Sequence, residues 1–188
     1  MDNLLELMKS SGAVLDGHFL LTSGRHSDVY LEKFRLLEKP KVVAELGKRM
    51  AAALPEEVDV VLGAAIGGIL LSHATATELS TLGIFAERVD GNLQLRRGFE
   101  LRKGDRVLIV EDIVSTGGSV KELIELVEQY EAEVAGVVCL VDRTQNGVNF
   151  GCSTEALLRY PAVSWKPEEC PLCKQDISIT TRGRTGKQ

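Results

Sequence analysis

The sequence predicts an α/β fold in which a central, mostly parallel sheet is flanked by helices. Three observations predict it. Between Val58 and Val141, apolar runs of strand length alternate with stretches of helical periodicity, the pattern of successive βαβ units. Two of the runs, Arg106 to Val110 and Val134 to Val141, are apolar at nearly every position rather than at alternate ones, as strands covered on both faces are. The chain has 188 residues, 44% of them apolar, which suffices for one core of ordinary size without a disulfide or metal staple.

The elements follow in order. Leu4, Leu5 and Met8 recur at helical spacing, so a short helix spans 2–11 and ends near Gly12. Residues 17–33 form a hairpin, with Phe19-Leu20-Leu21 and Val29-Tyr30-Leu31 on either side of the turn signal Ser23-Gly24. Pro40 opens a helix over 41–54 whose stripe is Val42, Val43, Leu46, Met50, Ala53 and Leu54, and Pro55 stops it. A strand at Val58–Leu62 leads to a helix at Gly67–Leu79 and then to a strand at Gly83–Ala86. Asp90-Gly91 is a two-residue hairpin signal before the segment Leu93–Leu101. The buried strand at 106–110 precedes a helix over Ser119–Tyr130, with Val120, Leu123, Ile124 and Val127 on one face, and the last buried strand follows. From Thr144 the periodicity weakens. That segment is expected to wrap the core as an appendage with one or two short strands and a helix.

Composition bounds the partners. The formal charge is −5, so the chain is a poor general binder of nucleic acid or anionic membrane, both polyanions. No run approaches the roughly 18–20 apolar residues of a membrane span, and no basic-then-apolar leader is visible, so a cytoplasmic location is expected.

Chemistry concentrates in the stretch Val107 to Ser119. A buried strand delivers Glu111 and Asp112 at its carboxyl end, and Ile113, Val114, Ser115, Thr116, Gly117, Gly118 and Ser119 lead into a helix. The amino end of a helix presents unpaired N–H groups and partial positive charge, which attract phosphate. Two carboxylates would repel a phosphate at that point, but they suit vicinal ribose hydroxyls. Acids for a sugar and a loop for its 5′-phosphate imply a phosphorylated ribose. A bland alternative is an N-capped helix after a buried strand. A second strand–glycine turn–helix passage, Gly63-Ala-Ala65-Ile-Gly67-Gly68, is a further candidate anion nest or simply a tight turn with close packing.

The whole string Val107 to Ser119 resembles the phosphoribosyl pyrophosphate (PRPP) motif of the type I phosphoribosyltransferases. Thr22-Ser23-Gly24-Arg25, Phe85 to Arg88, Leu95 to Phe99, Val141-Asp142-Arg143 and Pro171-Leu-Cys extend the likeness to the orotate phosphoribosyltransferases of the short bacterial and archaeal form, from about residue 4 to 185. The resemblance implies one domain over 1–188, with a core at about 40–145 and a small hood from about 1–35 and 146–188. It implies transfer of a phosphoribosyl group from PRPP to orotate with Mg2+, in a homodimer. It places Glu111 to Ser119, with Ala65, Gly67 and Gly68, around PRPP, and Ser115, Arg143, Ser23 and Gly24 around orotate. Arg143 suits a carboxylate because its fork binds bidentately, with a surface ion pair to Asp142 as its other reading. Rival readings are a phosphoribosyltransferase for another base and a non-catalytic PRPP-sensing regulator.

The chain departs from the family in two places. Thr22 stands where many members carry Lys, and Lys33 is the nearest lysine downstream, either functional or a solvated charge. Between Glu87 and Arg102 there is neither Lys nor His, only Arg88, Arg96 and Arg97. Arginine stays charged near neutral pH, so these groups act as charge stabilisers, with Arg88 the catalytic candidate among them beside Glu111 and Asp112. Cys170-x-x-Cys173 offers half of a zinc site, but Cys139 and Cys152 lie far upstream, with Cys139 in a core strand. His18, His26 and His73 show no ligand spacing along the chain. No protein residue is therefore assigned to a metal.

Overall fold

Strands and helices alternate through the middle of the chain as the apolar pattern requires, and the two ends of the chain meet in a separate unit. The computed structural model describes residues 4–21, 23–54, 57–161 and 163–182. Thr22 and Pro55 lie outside them. The elements are α1 (Leu4–Ser10), β1 (Val14–Leu20), β2 (His26–Leu31), α2 (Phe34–Leu37), α3 (Pro40–Ala53), β3 (Val60–Ala64), α4 (Gly67–Leu79), β4 (Leu82–Val89), β5 (Asn92–Leu95), β6 (Arg106–Val114), α5 (Gly118–Gln129), β7 (Glu133–Asp142), β8 (Thr154–Arg159) and β9 (Thr180–Thr181). Two 3-10 turns, Pro167–Glu169 and Cys173–Gln175, precede β9. Among the described residues, no helix is long and apolar enough to cross a membrane.

The chain divides into two compact units, Leu36–Tyr160 and Met1–Arg35 with Pro161–Gln188. The first holds a six-stranded sheet in the order β5-β4-β3-β6-β7-β8, parallel throughout except for the β4–β5 hairpin. Val60, Leu62, Val107, Ile109, Val137 and Cys139 pack with α5 through Val120, Leu123, Leu126 and Val127 in one core cluster. The alternate residues Val61, Leu108, Val110, Val138 and Leu140 are buried as well, which is why the strands read as unbroken apolar runs. Each such aliphatic side chain contributes on the order of 2 kcal/mol on leaving water. Helices α3 and α4 lie close together: a Cβ on Gly47 would stand 2.6 Å from the backbone of Ala74.

The order of connections creates the site. From β3 the chain crosses through α4 to β4 on one side of the sheet, and from β6 it crosses through α5 to β7 on the other. The crevice at the carboxyl ends of β3 and β6 is thus a topological switch point, where open α/β sheets bind ligands.

Several boundaries differ from expectation. β3 begins two residues late, at Val60, although the Asp59 N–H donates to Arg106 O at 2.9 Å and its carboxylate accepts the Arg106 N–H at 2.8 Å. The strand after Asp90-Gly91 ends at Leu95, because Arg97 and Gly98 adopt φ of 63° and 77° and turn the chain. Residues 146–160 go with the sheet rather than with an appendage, since β8 extends it beside β7, from Val137↔Thr154 to Asp142↔Arg159. As an edge strand, β8 is only half covered and carries no apolar run.

In the other unit, β1 and β2 pair antiparallel, and β9 adds in parallel beside β1. The β1–β2 register shifts between Asp16 and Phe19, so two successive residues, His18 and Phe19, are both buried. A bulge has this effect, because it breaks strict alternation and re-aims a side chain. His26 exchanges backbone hydrogen bonds with Trp165, at 2.8 and 2.9 Å, which lays the incoming C-terminal segment against β2.

Candidate active site

The β6 strand carries the two acids at the switch point. Glu111 and Asp112 are 7% and 4% exposed, so both carboxyl groups are largely withdrawn from water. The Asp112 N–H donates to Glu111 Oε1 at 2.9 Å, which fixes the first acid against the backbone of the second. β6 continues to Val114, where pairing with Asp142 of β7 holds it straight. The chain then turns through Ser115 and Thr116 into α5. Gly117 at the turn has φ of +80°, and a Cβ there would meet the Phe150 ring at 2.9 Å, so backbone conformation and space both demand glycine. Glu111 and Ile113 to Val120 line a small concavity at the amino end of α5, with Ser115, Thr116 and Gly118 exposed to solvent. The Ser115 and Thr116 side chains and the amino end of α5 therefore border one hollow, with Glu111 on its rim.

The second predicted loop meets the first. A Cβ on Gly67 would stand 1.4 Å from Asp112 Oδ2, so the Asp112 carboxylate fills the place of a side chain at the head of α4. Gly63 and Gly68 also pack closely, with a Gly63 Cβ falling 2.5 Å from Gly68 O. The Ala65 N–H donates to Ala86 O at 2.8 Å, which ties the loop to β4, and the Ala65–Ile66 peptide is cis. Ala65, Gly67, Gly68, Glu111, Asp112 and the residues through Ser119 thus form one neighbourhood. Arg143 joins it from β7: it is half-buried, and its backbone N–H donates to Val114 O at 2.8 Å. The neighbouring Asp142 carboxylate accepts the Thr144 N–H at 2.8 Å.

The arginines of the β4–β5 hairpin and the turn after it are engaged by nearby acids. Arg88 contacts Glu122 of α5 at 2.9 and 3.0 Å and the Gly91 carbonyl. Arg97 forks onto Glu87 with hydrogen bonds of 2.8 and 3.0 Å. That bond holds the Glu87 carboxyl below the usual carboxylate range and raises Arg97. Arg96 is exposed.

Ser23 and Gly24 stand exposed in the β1–β2 turn of the terminal unit, closed by Gly24 N–H to Leu21 O at 2.9 Å. Arg25 beside them is committed to Ser164, through its hydroxyl at 2.9 Å and its carbonyl at 2.5 Å. Lys33 Nζ lies 5.6 Å from the centre of the Phe34 ring.

Cys139 is a buried core residue, as its strand position implies. Burial, then the nearby charges of Asp142 and Glu111, push its thiol up to about 12. The histidines show no ligand spacing along the chain, but the fold brings two of them beside the Cys-x-x-Cys pair. His18, His26, Cys170 and Cys173 bring their ligand atoms within 4.8 Å of one another. Spacing along the chain misses this because the histidines sit on adjacent antiparallel strands, where the pairing register sets proximity. The Cys-x-x-Cys pair was the one visible signal.

A family model described as phosphoribosyl transferase domain matches residues 35–149. The orotate phosphoribosyltransferase of Caldicellulosiruptor bescii is 41% identical over 99% of this chain and 98% of its own length. That of Thermotoga maritima is 43% identical over 96% of this chain and 97% of its own. Among solved structures, the orotate phosphoribosyltransferase of Aeropyrum pernix superposes with a TM-score of 0.72 at 27% identity, covering 83% of this chain and 93% of that one.

Proposed function

The chain belongs to the phosphoribosyl transferase domain family and, within it, to the orotate phosphoribosyltransferases, and on that premise we propose how its own residues carry out the transfer. The reaction joins orotate to the phosphoribosyl group of PRPP, giving orotidine 5′-monophosphate and pyrophosphate, a step of pyrimidine biosynthesis. The observation that carries the assignment of roles is the interlock of the Gly67 loop with Asp112 beside the hollow at the amino end of α5.

Glu111 and Asp112 accept the two ribose hydroxyls, and Ser115 to Ser119 with the amino end of α5 receive the 5′-phosphate. Ala65, Gly67 and Gly68 offer backbone close to the pyrophosphate. As the anomeric carbon–oxygen bond breaks, the electron pair leaves with pyrophosphate and the ribose ring becomes cationic. The buried carboxylates favour that cation, because charge acts more strongly away from water. Arg143, at the end of β7, pairs with the orotate carboxylate and aims the ring nitrogen at the anomeric carbon. Ser115 contacts the same base. Arg88, Arg96 and Arg97 neutralise the growing charge on the leaving group. For Arg88 and Arg97 this requires exchange of Glu122 and Glu87 for phosphate oxygens, a low barrier for exposed pairs.

The donor set fits magnesium. Glu111 and Asp112 supply hard carboxylate oxygens, and the residues lining the hollow include no thiol or imidazole. These acids would hold the ion jointly with the ligand's own oxygens, and it would offset pyrophosphate charge. Ile66 and Leu70, 71% and 43% exposed and one helical turn apart, support assembly as a homodimer.

The deciding experiment follows orotate absorbance with PRPP and magnesium. Turnover of orotate, with none of uracil or adenine, is expected. Turnover of another base without orotate, or PRPP binding with no turnover at all, would overturn the reading. Light scattering after gel filtration tests the dimer.

A further inference from the structure

We propose that the terminal unit contains a structural zinc site made by His18 Nε2, His26 Nδ1, Cys170 Sγ and Cys173 Sγ. It is separate from the transferase chemistry, which does not use these four residues. The four ligand atoms already lie within 4.8 Å of one another. His18 Nε2 is 3.0 Å from His26 Nδ1 and 3.4 Å from Cys170 Sγ. Cys173 Sγ is 3.8 Å from His18 Nε2 and 3.3 Å from His26 Nδ1. Zinc bonds of ordinary length to two nitrogens and two sulfurs give tetrahedral edges of about 3.3 Å between nitrogens, about 3.5 Å from nitrogen to sulfur and about 3.8 Å between sulfurs. The observed separations fall around these values.

The surroundings prepare the ligands. His18 Nδ1–H donates to Ile177 O at 2.7 Å, which leaves the lone pair on Nε2 and directs it at the other three atoms. The bulge in β1 is what turns His18 inward. His18, His26 and Cys170 are buried, while Cys173 is exposed and leaves a route for the ion. Cys-x-x-Cys across the link between the two 3-10 turns brings two thiols to one point, and two adjacent strands bring two imidazoles. Two thiolates and two neutral imidazoles in a tetrahedron select zinc over magnesium or calcium. The balance is simple: Zn2+ enters, the two thiol protons leave, and the thiolates cancel the charge of the dication. The ion would join β1, β2 and the segment before β9 at one point, a staple for a small unit whose sheet has three strands.

The test uses the full chain, purified without an affinity tag or chelator and analysed for metal by mass spectrometry. About one zinc per chain is expected, and the Cys139→Ser/Cys152→Ser variant should retain it. Cys170→Ser/Cys173→Ser should lose it. To separate loss of metal from loss of fold, wild-type protein stripped of metal is also titrated with Co2+. A tetrahedral ligand-field spectrum with a thiolate charge-transfer band, saturating at one equivalent and displaced by zinc, is expected. Stripping should also lower the melting temperature, and zinc should restore it. Metal-free protein with no cobalt spectrum, or a Cys170–Cys173 disulfide in its place, would overturn the proposal. So would zinc retained after loss of both thiols.

Discussion

Gly67 and Asp112 interlock: the carboxylate of one occupies the space that a side chain on the other would need, 1.4 Å from its would-be Cβ. A loop after β3 and an acid on β6 are thereby fitted to each other before any ligand arrives. Gly67→Ala must push Asp112 off its position, although alanine is otherwise a better helix former than glycine. Misplacement of a positioning group by about 1 Å is expected to cost on the order of 100-fold in kcat/KM. Steady-state kinetics with PRPP varied, and circular dichroism to show an intact fold, check this. Unchanged kinetics would mean that Asp112 has no positional role.

Arg143 is held to β6 by its backbone, so its side chain can be removed with little effect on the sheet. Arg143→Ala is expected to raise the KM for orotate by about 10- to 100-fold, the worth of a charge-assisted pair, while the KM for PRPP stays within about twofold. Equal effects on both substrates would place Arg143 elsewhere in the mechanism.

Arg88 offers a separation of roles. Arg88→Ala is expected to lower kcat about 100-fold if it stabilises leaving-group charge, whereas Glu122→Gln, which removes only its resting partner, should leave kcat near wild type. The pair is about one-third exposed on each side, so both variants should melt within a few degrees of the parent, as the pair is worth less than about 1 kcal/mol.

Cys139 predicts a pH dependence. Its thiol is raised from 9.0 to about 12 in the fold, so the folded state favours the neutral form. The resulting stability is complete below pH 9, where both states keep the proton, and is lost as pH rises toward 12, because only the unfolded chain ionises first. Iodoacetamide at pH 8 should leave the Cys139 peptide unmodified in native protein and label it after unfolding, as read by peptide mass spectrometry.

Much of the sheet was legible in the sequence. Strands buried on both faces announce themselves as apolar runs, and β6, β7, α4 and α5 lie within a few residues of expectation. The passage from the end of β6 through Gly117 into α5 was equally legible because strand, turn and helix start are contiguous. β8 was not, because an edge strand with half-covered residues has neither an apolar run nor clean alternation. The ion pairs of Arg88 and Arg97 were hidden by distance along the chain, 34 residues in the first case. The four-residue cluster was hidden most deeply. His18 and Cys170 are 152 positions apart, and only a one-residue irregularity in β1 turns the histidine toward its partners.

The division of the chain sets an order of assembly during synthesis. The unit at Leu36–Tyr160 is a continuous stretch, so every strand of its sheet has been synthesised before Pro161 is added. β1 and β2 emerge first, yet β1 must wait for β9, its parallel neighbour, until almost the last described residue has been made. The earliest strands of the nascent chain are therefore among the last to be completed. Until then, β1 presents an open edge to whatever is nearby, which makes the interval before β9 is made the time when these strands most need protection from mispairing.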